Sequence, residues 1–174
     1  MNAKILGLLT VGLLGCAPIA ANAVLVGGSY SFRAADFFLC CGTTGPAAPY
    51  DVVTGSFSIS FDNSADVPDT FLASASVSIP VSGALGYNYD SLNDILNIGG
   101  LNSGIMGLSI GTDDFYLAIS SFSTSPTFLY SLYTTGGSFG AYRSNTGRLP
   151  EPGTLALLGL GLAGLGLSRR REVN

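Results

Sequence analysis

The chain contains no histidine and no tryptophan, and only 10% of its residues are charged. Residues 24–149 also lack lysine and glutamate, and their nine aspartates and three arginines give a net charge of −6. Ser-His-Asp and Ser-Lys catalytic arrangements are therefore absent from this region. A region so poor in positive charge is repelled by phosphate backbones, so we expect no binding to nucleic acid.

Within residues 24–149, a pair of aspartates could still act as acid and base. No Asp-Thr-Gly or Asp-Ser-Gly sequence selects a pair of them. We therefore predict a protein that is not an enzyme and has no cofactor.

Three aspartates share one short loop, where their oxygens could hold calcium. These are Asp62, Asp66 and Asp69. Val67 replaces the glycine of an EF-hand loop, however, and no glutamate stands at the twelfth position. Aspartates that close solvated turns are the favoured interpretation, and a looser calcium site is the alternative.

The chain has three cysteines, Cys16, Cys40 and Cys41. In an oxidising compartment the adjacent Cys40 and Cys41 allow three states: a vicinal disulfide, cross-links between chains, or two free thiols. Residues 24–149 have no third cysteine and no histidine, so we expect no metal site on this pair.

Apolar and hydroxyl side chains alternate along residues 53–61 and again along residues 71–79, which is typical of half-buried strands. The turn-forming residues 62–69 between them predict that the two strands are hairpin partners. Further predicted strands span residues 25–33, 84–89, 95–98, 105–110, 115–122, 127–133 and 139–143. Residues 39–50 read as an irregular loop and residues 144–149 as a short tether.

This set of short strands predicts an all-β fold, an antiparallel β-sandwich or jelly-roll-like domain. A parallel β-solenoid is the alternative, but the sequence has no repeat of fixed period to support it. Six tyrosines on the predicted strands are candidates for stacking on sugar rings, although packing between strands is the favoured role. They are Tyr87, Tyr89, Tyr116, Tyr130, Tyr133 and Tyr142.

The last 25 residues follow a different pattern. Pro150, Glu151 and Pro152 form a kinked segment that neither a helix nor a central strand can include. Residues 155–167 contain only Leu, Ala and Gly, and the run is followed closely by Arg169, Arg170 and Arg171. As a helix this run would be about 20 Å long, short of the hydrocarbon layer of about 30 Å. We predict a marginal transmembrane helix that serves as a temporary anchor; a helix docked on the soluble domain is the alternative.

The segment from Leu149 through the Pro-Glu-Pro sequence and the apolar run to Arg171 resembles the PEP-CTERM sorting domain of exported bacterial proteins. The resemblance implies recognition by an exosortase, a membrane-embedded cysteine transpeptidase-like enzyme, with processing near residues 150–152. It also implies a Gram-negative source, a transient inner-membrane anchor, and a final place at the cell surface or in the extracellular matrix. Exopolysaccharide is the partner that the family suggests.

The first 23 residues are typical of a signal peptide. A positive start at residues 1–4 precedes an apolar stretch at residues 5–14, and Ala21-Asn22-Ala23 forms an A-x-A site for signal peptidase. A lipobox at residues 13–16 is the competing interpretation and would make Cys16 a lipidated N-terminus. An uncleaved anchor is the third.

The predicted organisation is a signal peptide at residues 1–23, a secreted β-sandwich domain at 24–149 and a sorting signal at 150–174. The predicted function is that of a structural or adhesive protein of the cell surface or biofilm matrix. The alternative is a carbohydrate-binding module, with calcium assisting or not; a secreted hydrolase is a weaker third hypothesis.

Overall fold

A computed structural model of the chain describes residues 24–43, 45–102, 104–137 and 140–149. All the regular secondary structure within these ranges is β-strand. The strands are β1 (Leu25–Ala35), β2 (Phe38–Cys40), β3 (Val52–Asp62), β4 (Val67–Phe71), β5 (Ala75–Val77), β6 (Ala84–Asp90), β7 (Ile95–Asn102), β8 (Ile105–Met106), β9 (Asp114–Ser120), β10 (Thr127–Thr134), β11 (Ala141–Ser144) and β12 (Thr146–Arg148). The predicted signal helix and transmembrane helix lie outside the described residues. Inside them, no helix is long and apolar enough to cross a bilayer.

The strands form two antiparallel sheets, which we name sheet A and sheet B. Sheet A has four strands in the order β12-β1-β3-β5. Sheet B has eight, in the order β2-β11-β10-β9-β7-β6-β4 with β8 added to β7. The sheets pack face to face, since the ring of Phe32 in β1 lies 5.4 Å from that of Phe115 in β9, and Phe61 in β3 lies 4.7 Å from Tyr89 in β6. The prediction of an all-β, antiparallel domain is confirmed.

The period-two alternation of β1 and β3 builds one half of the core. Tyr30 and Phe32 of β1 and Phe57 and Ile59 of β3 are buried, whereas the serines between them are exposed. Side chains of successive strand residues point to opposite faces, so each strand divides into an apolar inner row and a hydroxyl outer row. Burying one such large apolar side chain contributes roughly 1.5–3 kcal/mol.

The two strands predicted as a hairpin pair in sheet A, but they are not consecutive. Phe57 of β3 pairs with Ala75 of β5, and β4 lies between them in sequence and belongs to sheet B. Phe71 ends β4 and is 59% exposed, whereas Leu72 is buried, so the predicted inward position of Phe71 is wrong. The reason is a crossing between sheets at this point, which shifts the alternation by one residue.

The chain segment before the sorting signal is also different from the prediction. Residues 144–149 are not a loose tether, because β12 lies within them and pairs with β1 through Arg148↔Arg33 and Thr146↔Ala35. Leu149 packs against the core cluster. Only Leu149 therefore separates the last paired residue from Pro150.

Candidate functional site

Polar and aromatic side chains gather on the outer face of sheet B, away from the core. Phe115 and Leu117 of β9 are buried, so Tyr116 between them points outward. By the same alternation Asn97 of β7 points outward. Asn97 pairs in register with Asn88 of β6, which lies on the same face. The strand register therefore brings side chains from distant parts of the sequence together.

A chain of side-chain hydrogen bonds runs across this face. Asn97 Nδ2 donates to Asn88 Oδ1 at 2.8 Å, and Asn88 Nδ2 donates to Asp69 Oδ1 at 2.7 Å. The second carboxylate oxygen of Asp69 accepts a hydrogen bond from the backbone N–H of Met106 at 2.9 Å. The bond from Met106 and then that from Asn88 hold the pKa of Asp69 below its ordinary value. Asp69 is therefore a carboxylate at neutral pH.

Two tyrosine rings and a guanidinium group stack beside this chain. The rings of Tyr116 and Tyr130 lie 6.1 Å apart and 13° from parallel, and Arg143 lies over Tyr130 with its guanidinium carbon 4.7 Å from the ring centroid. Arg143 Nε also donates to Asn145 Oδ1 at 2.8 Å, which fixes its position. Burial, with a smaller effect from Tyr130, raises the pKa of Tyr116 to about 12, so its hydroxyl stays protonated.

We call this set of six partly exposed residues the amide–tyrosine face. Its members are Asp69, Asn88, Asn97, Tyr116, Tyr130 and Arg143. Amide and hydroxyl groups both donate and accept hydrogen bonds, and aromatic rings offer flat apolar surface. The combination suits a ligand that has hydroxyl groups around its edge and C–H groups on its faces.

The structure separates the six tyrosines that the sequence left undivided. Tyr89, Tyr133 and Tyr142 are buried in the core, and Tyr87 packs against it. Tyr116 and Tyr130 lie on the outer face. For Tyr116 the sequence carried a usable signal, because apolar residues flank it on both sides. For Tyr130 it did not, because β10 has an irregular register between Phe128 and Tyr130.

The structure joins Cys40 and Cys41 by a disulfide, with their Cα atoms 3.8 Å apart. The pair forms part of a turn in which the Thr43 N–H donates to the Cys40 carbonyl at 3.2 Å. Thr43 Oγ1 accepts a hydrogen bond from the Ala141 N–H at 3.0 Å, which ties the turn to β11. The Cys40–Cys41 bond corresponds to one of the three states that the sequence left open, the vicinal disulfide.

The aspartates outside the amide–tyrosine face mostly close turns. Asp66 accepts hydrogen bonds from the Ser91 N–H and hydroxyl at 2.8 and 2.7 Å. Asp90 accepts from Asn93, and Asp62 from the Ser64 N–H. These bonds lower the pKa of Asp62, Asp66 and Asp90. The described part of the chain contains no group of three or more His, Cys, Asp or Glu side chains placed to hold a metal ion.

The remaining predicted site residues lie outside the described part of the chain. They are Cys16, Ala21, Ala23, Pro150, Glu151, Pro152, Arg169, Arg170 and Arg171. The C-terminal ones fall within a match to a known family, since the PEP-CTERM protein-sorting motif matches residues 149–171. The chain carries a PEP-CTERM sorting motif. The prediction of an exosortase substrate is confirmed.

The PEP-CTERM motif marks the chain as an exported protein that an exosortase sorts, with the motif as its transient, membrane-anchored signal. The motif begins at Leu149, directly after β12. Comparison with curated proteins and with solved structures finds no match for the chain.

Proposed function

We propose that this chain is a non-enzymatic, structural or adhesive protein of the cell surface or extracellular matrix. We further propose that its β-sandwich binds polysaccharide through the amide–tyrosine face. The sorting motif supports the surface or matrix role, because proteins that carry it are exported from the cytoplasm. The stacked Tyr116 and Tyr130 beside the Asn97–Asn88–Asp69 chain carry the second.

The chemistry of the face matches that of a sugar polymer. The C–H faces of a sugar ring pack on aromatic rings, and its hydroxyl groups exchange hydrogen bonds with amides and carboxylates. An open sheet face lets a long chain pass across it, whereas a small ligand is usually held in a concave pocket. The net charge of −6 for residues 24–149 disfavours strongly acidic polymers, so the expected ligand is a neutral or weakly charged polysaccharide.

The charge states on the face support binding without turnover. Glycoside hydrolysis uses two carboxyl groups, one as acid and one as base or nucleophile. Asp69 is the one carboxyl group of the amide–tyrosine face, and its lowered pKa keeps it from donating a proton at neutral pH. Tyr116, with its pKa raised to about 12, stays protonated at neutral pH and so does not act as the base.

The binding proposal is tested by retardation of the exported protein in gels that contain one polysaccharide each. We expect Tyr130→Ala to raise Kd by about fivefold or more, since central aromatic contacts are worth upwards of about 1 kcal/mol. Asn97→Ala removes the start of the hydrogen-bond chain and should weaken binding as well.

Two matched controls accompany these variants. Leu92→Ala changes a side chain that is 90% exposed in the turn after β6, and Ser58→Ala changes a polar residue on sheet A. Both should bind as the wild type does. Parallel gels with calcium and with a chelator test calcium assistance. Absence of retardation by every polysaccharide under both conditions, or equal retardation of all variants, would reject the proposed site.

The matrix role is tested in the producing cells. Deletion of the chain should weaken flocculation or biofilm cohesion and leave metabolic activities unchanged. Restoring the Tyr130→Ala chain should return the protein to the surface without restoring cohesion. If the Tyr130→Ala chain fully restored cohesion, the matrix role would not depend on the amide–tyrosine face.

A further inference from the structure

Two arginines face each other at one edge of sheet A. Arg33 of β1 and Arg148 of β12 are directly opposite in the antiparallel register, and both side chains are exposed. Like charges placed directly opposite destabilise a strand pair. Within the described part of the chain, neither arginine forms an ion pair. The pair therefore concentrates positive charge that the fold itself leaves uncompensated.

These arginines line a shallow groove of about 430 Å³ together with Thr146 and Gly147. We call these four residues the arginine edge. The adjoining part of the outer face of sheet A carries hydroxyl side chains, with Ser31, Ser56 and Ser76 aligned in register across β1, β3 and β5.

The arginine edge contains two of the three cationic side chains of residues 24–149; the third, Arg143, lies on sheet B. The nearest aspartates in sequence are Asp36 and Asp51, whose backbones are hydrogen-bonded to each other at the end of β1 and the start of β3. Positive charge in this otherwise acidic domain is thus confined to one edge and one residue of the opposite sheet.

The arginine edge is also where the chain departs toward the membrane. β12 ends at Arg148, the sorting motif begins at Leu149, and the apolar run begins at Leu155. A fully extended chain covers at most about 20 Å between Leu149 and Leu155. The headgroup region adds several ångströms to each side of the hydrocarbon layer. While the signal anchors the chain, the arginine edge is held close to the headgroups.

We infer that the arginine edge docks on the anionic phospholipid headgroups of the membrane while the sorting signal anchors the chain. Guanidinium groups bind phosphate oxygens through paired hydrogen bonds, and a short tether raises the local concentration of the two surfaces. The nine aspartates of the domain are repelled by the same headgroups, so the acidic remainder turns away. Docking this way leaves sheet B, with its amide–tyrosine face, directed away from the membrane.

The orientation can be read from a single fluorescent residue, because the chain has no tryptophan of its own. The full chain with Ser31→Trp places a reporter on the outer face of sheet A, and Ser120→Trp places one on the outer face of sheet B. Each is reconstituted through its sorting signal into vesicles of phosphatidylcholine, alone or mixed with phosphatidylglycerol, that contain a brominated quencher lipid. We expect quenching of the Ser31→Trp reporter in the mixed vesicles only, and little quenching of Ser120→Trp. High salt should remove the effect, since it screens exposed charges.

Charge variants identify the groups responsible. Arg33→Gln and Arg148→Gln should each lower the docked-to-free ratio by about fivefold, because one arginine near an anionic surface is worth about 1 kcal/mol. Arg143→Gln removes the same charge from sheet B and should leave the ratio unchanged. Near-UV circular dichroism verifies the fold of every variant.

Three results would overturn the inference. Equal loss in Arg143→Gln would show that net charge alone acts. Equal quenching of both reporters would show that the domain has no preferred orientation. Quenching that is the same with and without phosphatidylglycerol would show that headgroup charge is not recognised. The vesicles contain no polysaccharide, so these results leave the proposed function untouched, and failure of polysaccharide binding leaves this inference untouched.

Discussion

The hydroxyl group of Tyr133 bridges the two backbone polar groups of Tyr50. It accepts a hydrogen bond from the Tyr50 N–H at 3.0 Å and donates one to the Tyr50 carbonyl at 3.1 Å. The two rings meet edge to face with their centroids 5.6 Å apart, and Tyr133 has no exposed surface. Burial raises the pKa of Tyr133 to about 12, which keeps the donor proton in place. One core side chain on β10 thereby holds the end of the loop that leads into β3.

Tyr133→Phe should lower the free energy of unfolding by about 1–3 kcal/mol, because both backbone groups of Tyr50 lose their partner while the ring remains. Urea denaturation measures the change. Tyr142→Phe is the matched control, since among the described residues the Tyr142 hydroxyl makes a single, longer bond, to the Pro46 carbonyl at 3.3 Å. A loss from Tyr142→Phe as large as that from Tyr133→Phe would contradict the role assigned to the bridge.

Asp114 makes stability depend on pH. It is only 3% exposed, and burial raises its pKa, although N–H groups of Ser109, Phe115 and Gly100 partly offset the effect. A raised pKa in the folded state means that its contribution is fully present below the unfolded pKa and is lost as pH rises through the folded one. The unfolding free energy of wild type relative to Asp114→Asn should therefore fall as pH rises above about 4, by about 1.4 kcal/mol per unit of pKa difference.

Asp69→Asn should show the opposite dependence of stability on pH when it is measured in the same pH series. The pKa of Asp69 is lowered in the fold, so its contribution is present above the unfolded pKa and is lost as pH falls through the folded one. The wild type should gain stability relative to Asp69→Asn as pH rises. If the stability of wild type relative to each variant changed with pH in the same direction for both, local environments would not control the pKa values of Asp69 and Asp114.

Gly55 lies in β3 between two neighbouring strands that leave no room for a side chain. A Cβ added there would fall 2.5 Å from Phe32 Cε1 and against the Ser76 carbonyl oxygen. Gly55→Ala should cost about 1–3 kcal/mol through overpacking. Gly107→Ala is the control, because an added Cβ meets nothing within 4 Å. Thermal melts of the two variants should differ clearly, and similar melting temperatures would contradict the packing.

The disulfide between neighbours predicts a specific mass result. Reduction should add the mass of two hydrogens to the peptide containing Cys40 and Cys41, and alkylation should label both only after reduction. Mobility on a non-reducing gel should stay that of a single chain. A dimer band that reductant removes would show cross-links between chains in place of the internal bond.

Predictions from the sequence were best where the alternation of buried and exposed residues depends on a single strand. The alternation along residues 53–61, which lie in β3, identified the buried Phe57 and Ile59, because a strand exposed on one face repeats every second residue. The same pattern misplaced Phe71, since the chain changes sheets there and the alternation shifts. It also missed β12, whose residues are all exposed and which forms only by pairing with β1.

The candidate site was beyond prediction for a related reason. Asp69, Asn88 and Asn97 are spread over three strands, and their contact depends on strand order and register. The sequence of one strand specifies neither the strand order nor the register. The stacking of Tyr116 on Tyr130, and of Arg143 over Tyr130, likewise joins three strands. The local pattern could indicate that Tyr116 points outward, but it could not show that these three side chains meet.

By itself, the order of residues determined the strand-rich character of the domain, its low positive charge and the C-terminal sorting motif, because each is a property of neighbours along the chain. Tertiary structure alone decided which side chains meet across sheet B, which two arginines face each other beside the anchor, and how closely the motif follows the last strand. Those are relationships between distant segments, and strand register in the folded sandwich brings them within reach.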